Sequence, residues 1–305
     1  MDLNSKKKIS AGISILSNII LTVLKISAGI ISGSLSIISE AIHSMSDCLA
    51  SFITFFSVSK SSKPADIDHP YGHGKYEDMS GFIEGLLIIF ASFFIVYEAV
   101  KKIIFHEPIT NENTLGIIVM LIAVIANIIV SSILFKTAKQ SDSISLYADA
   151  EHLRTDVYSS LGVLIGLILI NITGYTILDP VIALLVATII YKTGFNLSKQ
   201  ALDNLLDHSL PDDEIEKIKN IININPDVKL KENGIKARQT GPYKDIDIIL
   251  QFKDDTTICA CHKICDEIEA KITSIYQNCS ISIHSEPICY NKNCQNNCSK
   301  ISIKS

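Results

Sequence analysis

The sequence predicts an α-helical membrane protein with six transmembrane helices followed by a compact α+β domain, and three observations carry that expectation. Six long apolar runs fill the first two thirds of the chain. Each approaches the roughly 20 residues needed to cross about 30 Å of hydrocarbon. Hydrophobic residues make up 48% of the 305 residues against 19% charged, a balance too apolar for an average soluble protein. From about His208 the pattern changes to that of a small soluble module, with short runs of alternating and helical periodicity.

The runs lie at residues 9–31, 35–58, 81–100, 115–135, 146–170 and 177–195. The first is too long for a cleavable signal and lacks a small-residue cleavage site, so it is expected to remain as a span. Lysines set the orientation. Lys6, Lys7 and Lys8 precede the first span, Lys60, Lys63 and Lys75 follow the second, and Lys136 and Lys139 follow the fourth. These segments are expected inside, with both termini. Of the opposite connections, "ISGSLS" and "NITGYTILDP" carry no lysine or arginine, while Lys101 and Lys102 after the third span are the exception.

Beyond the spans, "PDDEIEKIKNIIN" opens with acids in its first turn, as a helix amino terminus should. "IKARQTG" and "DIDIILQF" read as strands, "TTICACHKICDEIEAKITSIY" as an amphipathic helix and "CSISIHSE" as a strand. The expected division is residues 1–207 for the membrane domain, 208–288 for the α+β module and 289–305 for a polar, cysteine-containing tail. The net charge of −5, with no basic stripe, gives no sign of a nucleic-acid partner.

Two segments break the apolar pattern of the spans in the same way. "EAIHSMSD", residues 40–47, and "DAEHLRTD", residues 149–156, both read acid-x-x-His-x-x-x-Asp. His43 and Asp47 lie four apart, as do His152 and Asp156, so each pair shares one helix face. An ionised group at a helix centre costs roughly 2.5–3.5 kcal/mol on insertion scales. A divalent cation held by two imidazoles and two carboxylates would compensate the two aspartates, and four ligands suit a tetrahedral site. The alternative is private pairing of each His and Asp with helix neighbours. Imidazole points to zinc first, then iron or cobalt. Glu40 and Asp149, one turn earlier, relay protons, steer cations or face a hydrated vestibule. Glu84 and Glu98 line a path or snorkel. Cys48 reads as a small core residue.

A third set, Asp66, His69 and His73 in "KPADIDHPYGHGKYED", offers one carboxylate and two imidazoles at short spacing in a loop. It could hold a metal, or be a turn-rich loop with incidental histidines.

"SLSIISEAIHSMSDCLAS" and "ADAEHLRTDVYSSLGVL" resemble the second- and fifth-span motifs of the cation diffusion facilitators, six-span metal exporters, and the resemblance extends to about Tyr290. It implies that His43, Asp47, His152 and Asp156 form the transport site, and histidine first in both pairs resembles the zinc-type branch. It implies a second metal site at Asp66, His69 and His73, and a lock between partners at Lys75 with Asp207 as its acidic counterpart. "IKARQTGP" and "SISIHSEP" resemble the family's cytoplasmic domain, a ferredoxin-like, metallochaperone-like fold that forms a homodimer and binds metal between subunits. His262, His284 and Glu286 fall at ligand positions there, whereas Asn233 and Ile249 stand where other members have histidines.

The resemblance therefore implies an exporter of divalent metal, zinc first, with iron, cobalt, manganese or cadmium as alternatives of the same family. A membrane metal sensor is the competing class; an enzyme is not expected, because no HExxH-type motif is present. Its partners are a second copy, membrane lipid, metal ions and protons, in the plasma (inner) membrane, with metal as cargo and regulator rather than as cofactor. Moving a divalent ion out against an inside-negative potential costs about 4.6 kcal/mol per 100 mV, so a coupled flux is needed. Protons compete with metal for imidazole and carboxylate, and the resemblance implies proton antiport with alternating access. The last feature is cysteine. Cys259, Cys261 and Cys265 sit on one helix with His262, and Cys289, Cys294 and Cys298 follow in the tail as candidate soft-metal ligands, or as part of a disordered end.

Overall fold

A computed structural model describes residues 3–32, 35–105, 114–173, 177–276 and 278–288, apart from some helical side chains, among them those of Glu40 and His43. It divides into two compact units, Met1–Leu206 and Asp207–Ser305.

The first unit is six long helices: α1 (Leu3–Ser32), α2 (Leu35–Ser61), α3 (Lys75–Phe105), α4 (Thr114–Ser141), α5 (Ile144–Thr173) and α6 (Leu178–Leu205). Its polarity is inverted relative to a soluble bundle. On α1 the buried polar positions are Lys7, Ser10, Ser14, Asn18 and Thr22, at helical spacing and beside the buried Ala11, Leu21 and Ala28, while Leu16, Ile20 and Val23 are exposed. In lipid the apolar exterior costs nothing, so the interior is free to collect polar groups that satisfy one another. Among the described residues α1, α3, α4 and α6 contain stretches apolar and long enough to span a membrane. The other two, α2 and α5, are as long, at 27 and 30 residues. They are the helices that carry the acid–histidine motifs.

α3 packs most extensively on α6, α1 on α2, and α4 on α5, while α2 also meets α3 and α5. The α3–α6 seam closes at two glycines. A Cβ added to Gly194 would lie 2.9 Å from the Gly85 carbonyl oxygen, and one on Gly85 would lie 2.8 Å from the Ser198 nitrogen. Backbone meets backbone here, as small residues allow between membrane helices. Gly194→Val is therefore expected to cost about 1–3 kcal/mol through overpacking, seen as a lower melting midpoint of the detergent-purified protein; an unchanged midpoint would show that the seam can part freely.

One end of the bundle is tied by a buried ion pair. Lys7 near the start of α1 and Glu77 in the first turn of α3 are 1% and 0% exposed and in direct contact. Ser61 at the end of α2 and Ser143 just before α5 also donate to the Glu77 carboxylate. Four helix ends thus converge on one side chain. Lys7, counted above as an orientation charge, is fully buried in the interior of this unit.

The second unit runs α7 (Asp212–Asn223), β1 (Lys229–Thr240), β2 (Tyr243–Phe252), α8 (Ile258–Ile275) and β3 (Cys279–Pro287). The sheet order is β1-β2-β3, with β1 and β2 antiparallel and β2 and β3 parallel. This is the ferredoxin-like βαββαβ order without its leading strand, so β2 and β3 pair directly. Ile218 and Ile222 of α7 and Ile268 and Ile272 of α8 close on Ala237, Ile246, Ile248 and Leu250 of the sheet. Thr257 caps α8 by accepting from the Ala260 nitrogen at 3.3 Å. β1 changes register between Leu230 and Ile235. Asn233 sits in that bulge with φ 55°, a conformation that asparagine tolerates better than most side chains.

Candidate metal centre

α2 and α5 bring Asp47 of the first motif together with both arms of the second. Asp47 of α2 and His152 and Asp156 of α5 each offer a ligand atom, and these atoms lie within 4.8 Å of one another. His152 Nε2 stands 3.2 Å from Asp47 Oδ1. Asp47 and His152 are each only 6% exposed, and Asp156 is half-buried. His152 Nδ1 is buried with no hydrogen-bond partner among the described residues. His43 stands one turn before Asp47 on α2; its side chain lies outside the described residues. Two acids and an imidazole held this closely, two of the three buried, could hold a cation, which would supply the charge that the interior lacks.

Asp66, His69 and His73 make the second cluster, with ligand atoms again within 4.8 Å of one another. Asp66 Oδ1 accepts from the His69 backbone nitrogen at 2.7 Å, and Asp66 Oδ2 lies 3.3 Å from His73 Nε2. The two imidazole centroids are 4.4 Å apart. A tight turn creates this: the Gly72 nitrogen donates to the His69 carbonyl at 2.9 Å, with Pro70 second and Gly72 last, as turns of this kind favour. Gly72 has φ 83°, which a residue with a Cβ adopts only under strain. The hydrogen bond from the His69 backbone holds the Asp66 carboxyl below its ordinary range. Two imidazoles and one carboxylate leave a fourth position for water.

The comparisons with known proteins join these observations. A family model described as the cation efflux transmembrane domain matches residues 11–206, and one described as the cytoplasmic domain of the cation efflux protein matches residues 210–288. The chain belongs to the cation efflux, or cation diffusion facilitator, family. It is an integral membrane cation efflux transporter carrying the family's cytoplasmic domain. Similar proteins include an uncharacterized transporter of Synechocystis sp., 33% identical over 87% of this chain and 85% of its own length. The cation-efflux pump FieF of Yersinia enterocolitica is 30% identical over 88% of each chain. The pump of the same name from Shewanella oneidensis is 27% identical over 92% of this chain and 94% of its own.

In the cytoplasmic domain of this transporter the expected ligands are spread out. His284 and Glu286 lie two apart on one face of β3, 3.8 Å from each other, and Glu286 also receives Lys231 Nζ at 2.8 Å. His262 lies on α8, 3.5 Å from Asp266. Among the described residues these three do not form a cluster like the two above. Cys259 is exposed, Cys261 and Cys265 are half-buried, and burial pushes the Cys265 thiol up, away from the thiolate a metal needs. Cys289, Cys294 and Cys298 lie outside the described residues. Lys75 begins α3 and donates to the Leu205 carbonyl at 3.4 Å. Asp207, at φ 59°, pairs with Arg238 at 3.0 Å.

Sequence reasoning missed the Lys7–Glu77 pair. The signal was present, because Lys7 falls on the same helical stripe as Ser10, Ser14 and Asn18, but a run of three lysines at a chain start reads first as a topology signal.

Proposed function

We propose that this protein exports divalent metal, zinc foremost, from the cytoplasm across the inner membrane in exchange for protons, as a homodimer with both termini inside. The observation that supports the reading is the buried Asp47–His152–Asp156 cluster between α2 and α5. His43, one turn from Asp47 on the same helix face, completes a tetrahedral set of two imidazoles and two carboxylates. That donor set favours zinc, with iron, cobalt, manganese and cadmium as the alternatives. Asp66, His69 and His73 act as a second, cytoplasmic metal site. His284 and Glu286 offer two ligands of a third, which a second subunit would complete with His262. Lys75 and Asp207 hold the dimer near the membrane surface, and the tail cysteines supply a soft-metal capture site. Protons entering from outside compete for the same imidazole and carboxylate atoms and release the metal.

The test is flux in sealed proteoliposomes across a panel of metals with an imposed proton gradient: zinc uptake that follows the gradient supports the reading, and zinc movement indifferent to it overturns the antiport. His43→Asp trades imidazole for oxygen. It is expected to move the preference profile from zinc toward manganese or iron; an unchanged profile would place selectivity elsewhere.

A further inference from the structure

α2 presents a stripe of polar side chains running away from the metal cluster. Asp47, Ser51, Thr54 and Ser61 are all buried and recur at helical spacing. At 1.5 Å per residue, Ser51 and Thr54 stand about 6 Å and about 10 Å from Asp47 along the axis, toward the end tied by Lys7 and Glu77. Each of these two hydroxyls meets a buried acid. Ser51 Oγ donates to Asp149 Oδ1 at 2.9 Å, and Thr54 Oγ1 donates to Glu84 Oε1. Ser80 adds a second bond to the same Glu84 oxygen at 3.1 Å.

The two acids lie on adjoining helix faces. Ser80 of α3 and Ser145 of α5 are hydrogen-bonded at 2.9 Å, and Glu84 and Asp149 each lie four residues further along their helices, on the same faces. Both helices start at the same end of the bundle, since Glu77 near the start of α3 binds Ser143 just before α5, so one turn along each helix brings Glu84 opposite Asp149. Both residues are 0% exposed. In each, the second oxygen, Glu84 Oε2 and Asp149 Oδ2, is buried without a hydrogen-bond partner among the described residues. Unpaired buried carboxylate oxygens are costly, and here two of them lie on adjoining helix faces.

We propose that Glu84 and Asp149 form a staging site for the transported divalent cation, one to two helical turns from Asp47, which hands the ion on to the transport site; this rests on the export reading above. The donor set is all oxygen: two carboxylates with hydroxyls around them. Such a set holds a divalent ion less tightly than one with imidazole does, so the ion moves from a weaker to a stronger site. Asp149 lies three residues before His152, on the same side of α5, which gives the hand-over a short path.

The test uses the full-length protein in proteoliposomes with zinc as the probe. Glu84→Gln and Asp149→Asn keep the side-chain shape and the oxygen that accepts from Thr54, Ser80 or Ser51. Each is expected to raise the half-saturating zinc concentration about tenfold, the loss of local cation enrichment, while maximal flux stays within about twofold. The double variant is expected to match the single ones, because both acids serve one site. A half-saturating concentration unchanged in both single variants, or maximal flux lost at unchanged half-saturation, overturns the proposal and leaves the pair a structural role. Asp47→Ala run beside them separates the two readings: flux surviving in Asp47→Ala removes the transport site, whereas a silent Asp47→Ala beside a wild-type curve for Glu84→Gln removes only the staging pair.

Discussion

Zinc flux through Asp47→Ala and through Asp156→Ala is expected to fall to the background of empty liposomes, with the protein still folded. Each substitution removes one carboxylate from a cluster whose ligand atoms lie within 4.8 Å of one another. Changing even an outer partner of a metal ligand typically costs 10–100-fold in affinity or activity, so losing a ligand itself should cost at least about 100-fold. Folding should survive for the opposite reason. An aspartate at membrane depth costs roughly 2.5–3.5 kcal/mol on insertion scales, so its removal relieves the bundle while taking away its function. The paired measurement is zinc uptake by proteoliposomes and the melting midpoint of the same preparation. Near wild-type flux in both variants would sink the assignment of the site.

Breaking the Lys7–Glu77 pair is expected to do the reverse, lowering stability first. Removing one partner of a buried ion pair typically costs about 3–5 kcal/mol, because the survivor is left as an uncompensated charge. Lys7→Met leaves Glu77, 0% exposed, with the hydroxyls of Ser61 and Ser143 and no cation beside it. Glu77→Leu leaves Lys7 buried alone. The double variant Lys7→Met/Glu77→Leu removes both charges, and replacing a whole buried pair by apolar groups is often neutral. Its melting midpoint should therefore lie above that of either single variant. Additive losses in the double variant would show that the two side chains act independently and that the buried contact does not tie the helix ends together.

Much of the membrane domain could be read directly from the chain, because each helix answers to its own residues and to the thickness of the bilayer. The span expected at residues 81–100 became α3 at Lys75–Phe105, longer at both ends, since a helix continues past the hydrocarbon wherever its backbone can keep hydrogen bonding. The two acid–histidine motifs stood out because an acid in an apolar helix has no local justification. The order of elements in the cytoplasmic domain was legible from periodicity alone, whereas the bulge at Asn233 was not, since it depends on how β1 sits against β2.

What the sequence determined by itself was the set of helices, the two faces of each and the pairing of His43 with Asp47 and His152 with Asp156 along a helix, all properties of residues within one or two turns. Only the tertiary structure decided which faces meet. It set His152 beside Asp47, 105 residues away in sequence, buried Lys7 against Glu77 across 70 residues, and joined the α3 and α5 faces that carry Glu84 and Asp149 through the Ser80–Ser145 contact. The physical reason is that helix propensity and hydropathy act along the chain. The choice among helix faces comes instead from the summed packing and hydrogen bonding of groups far apart in sequence, and no local pattern encodes that sum.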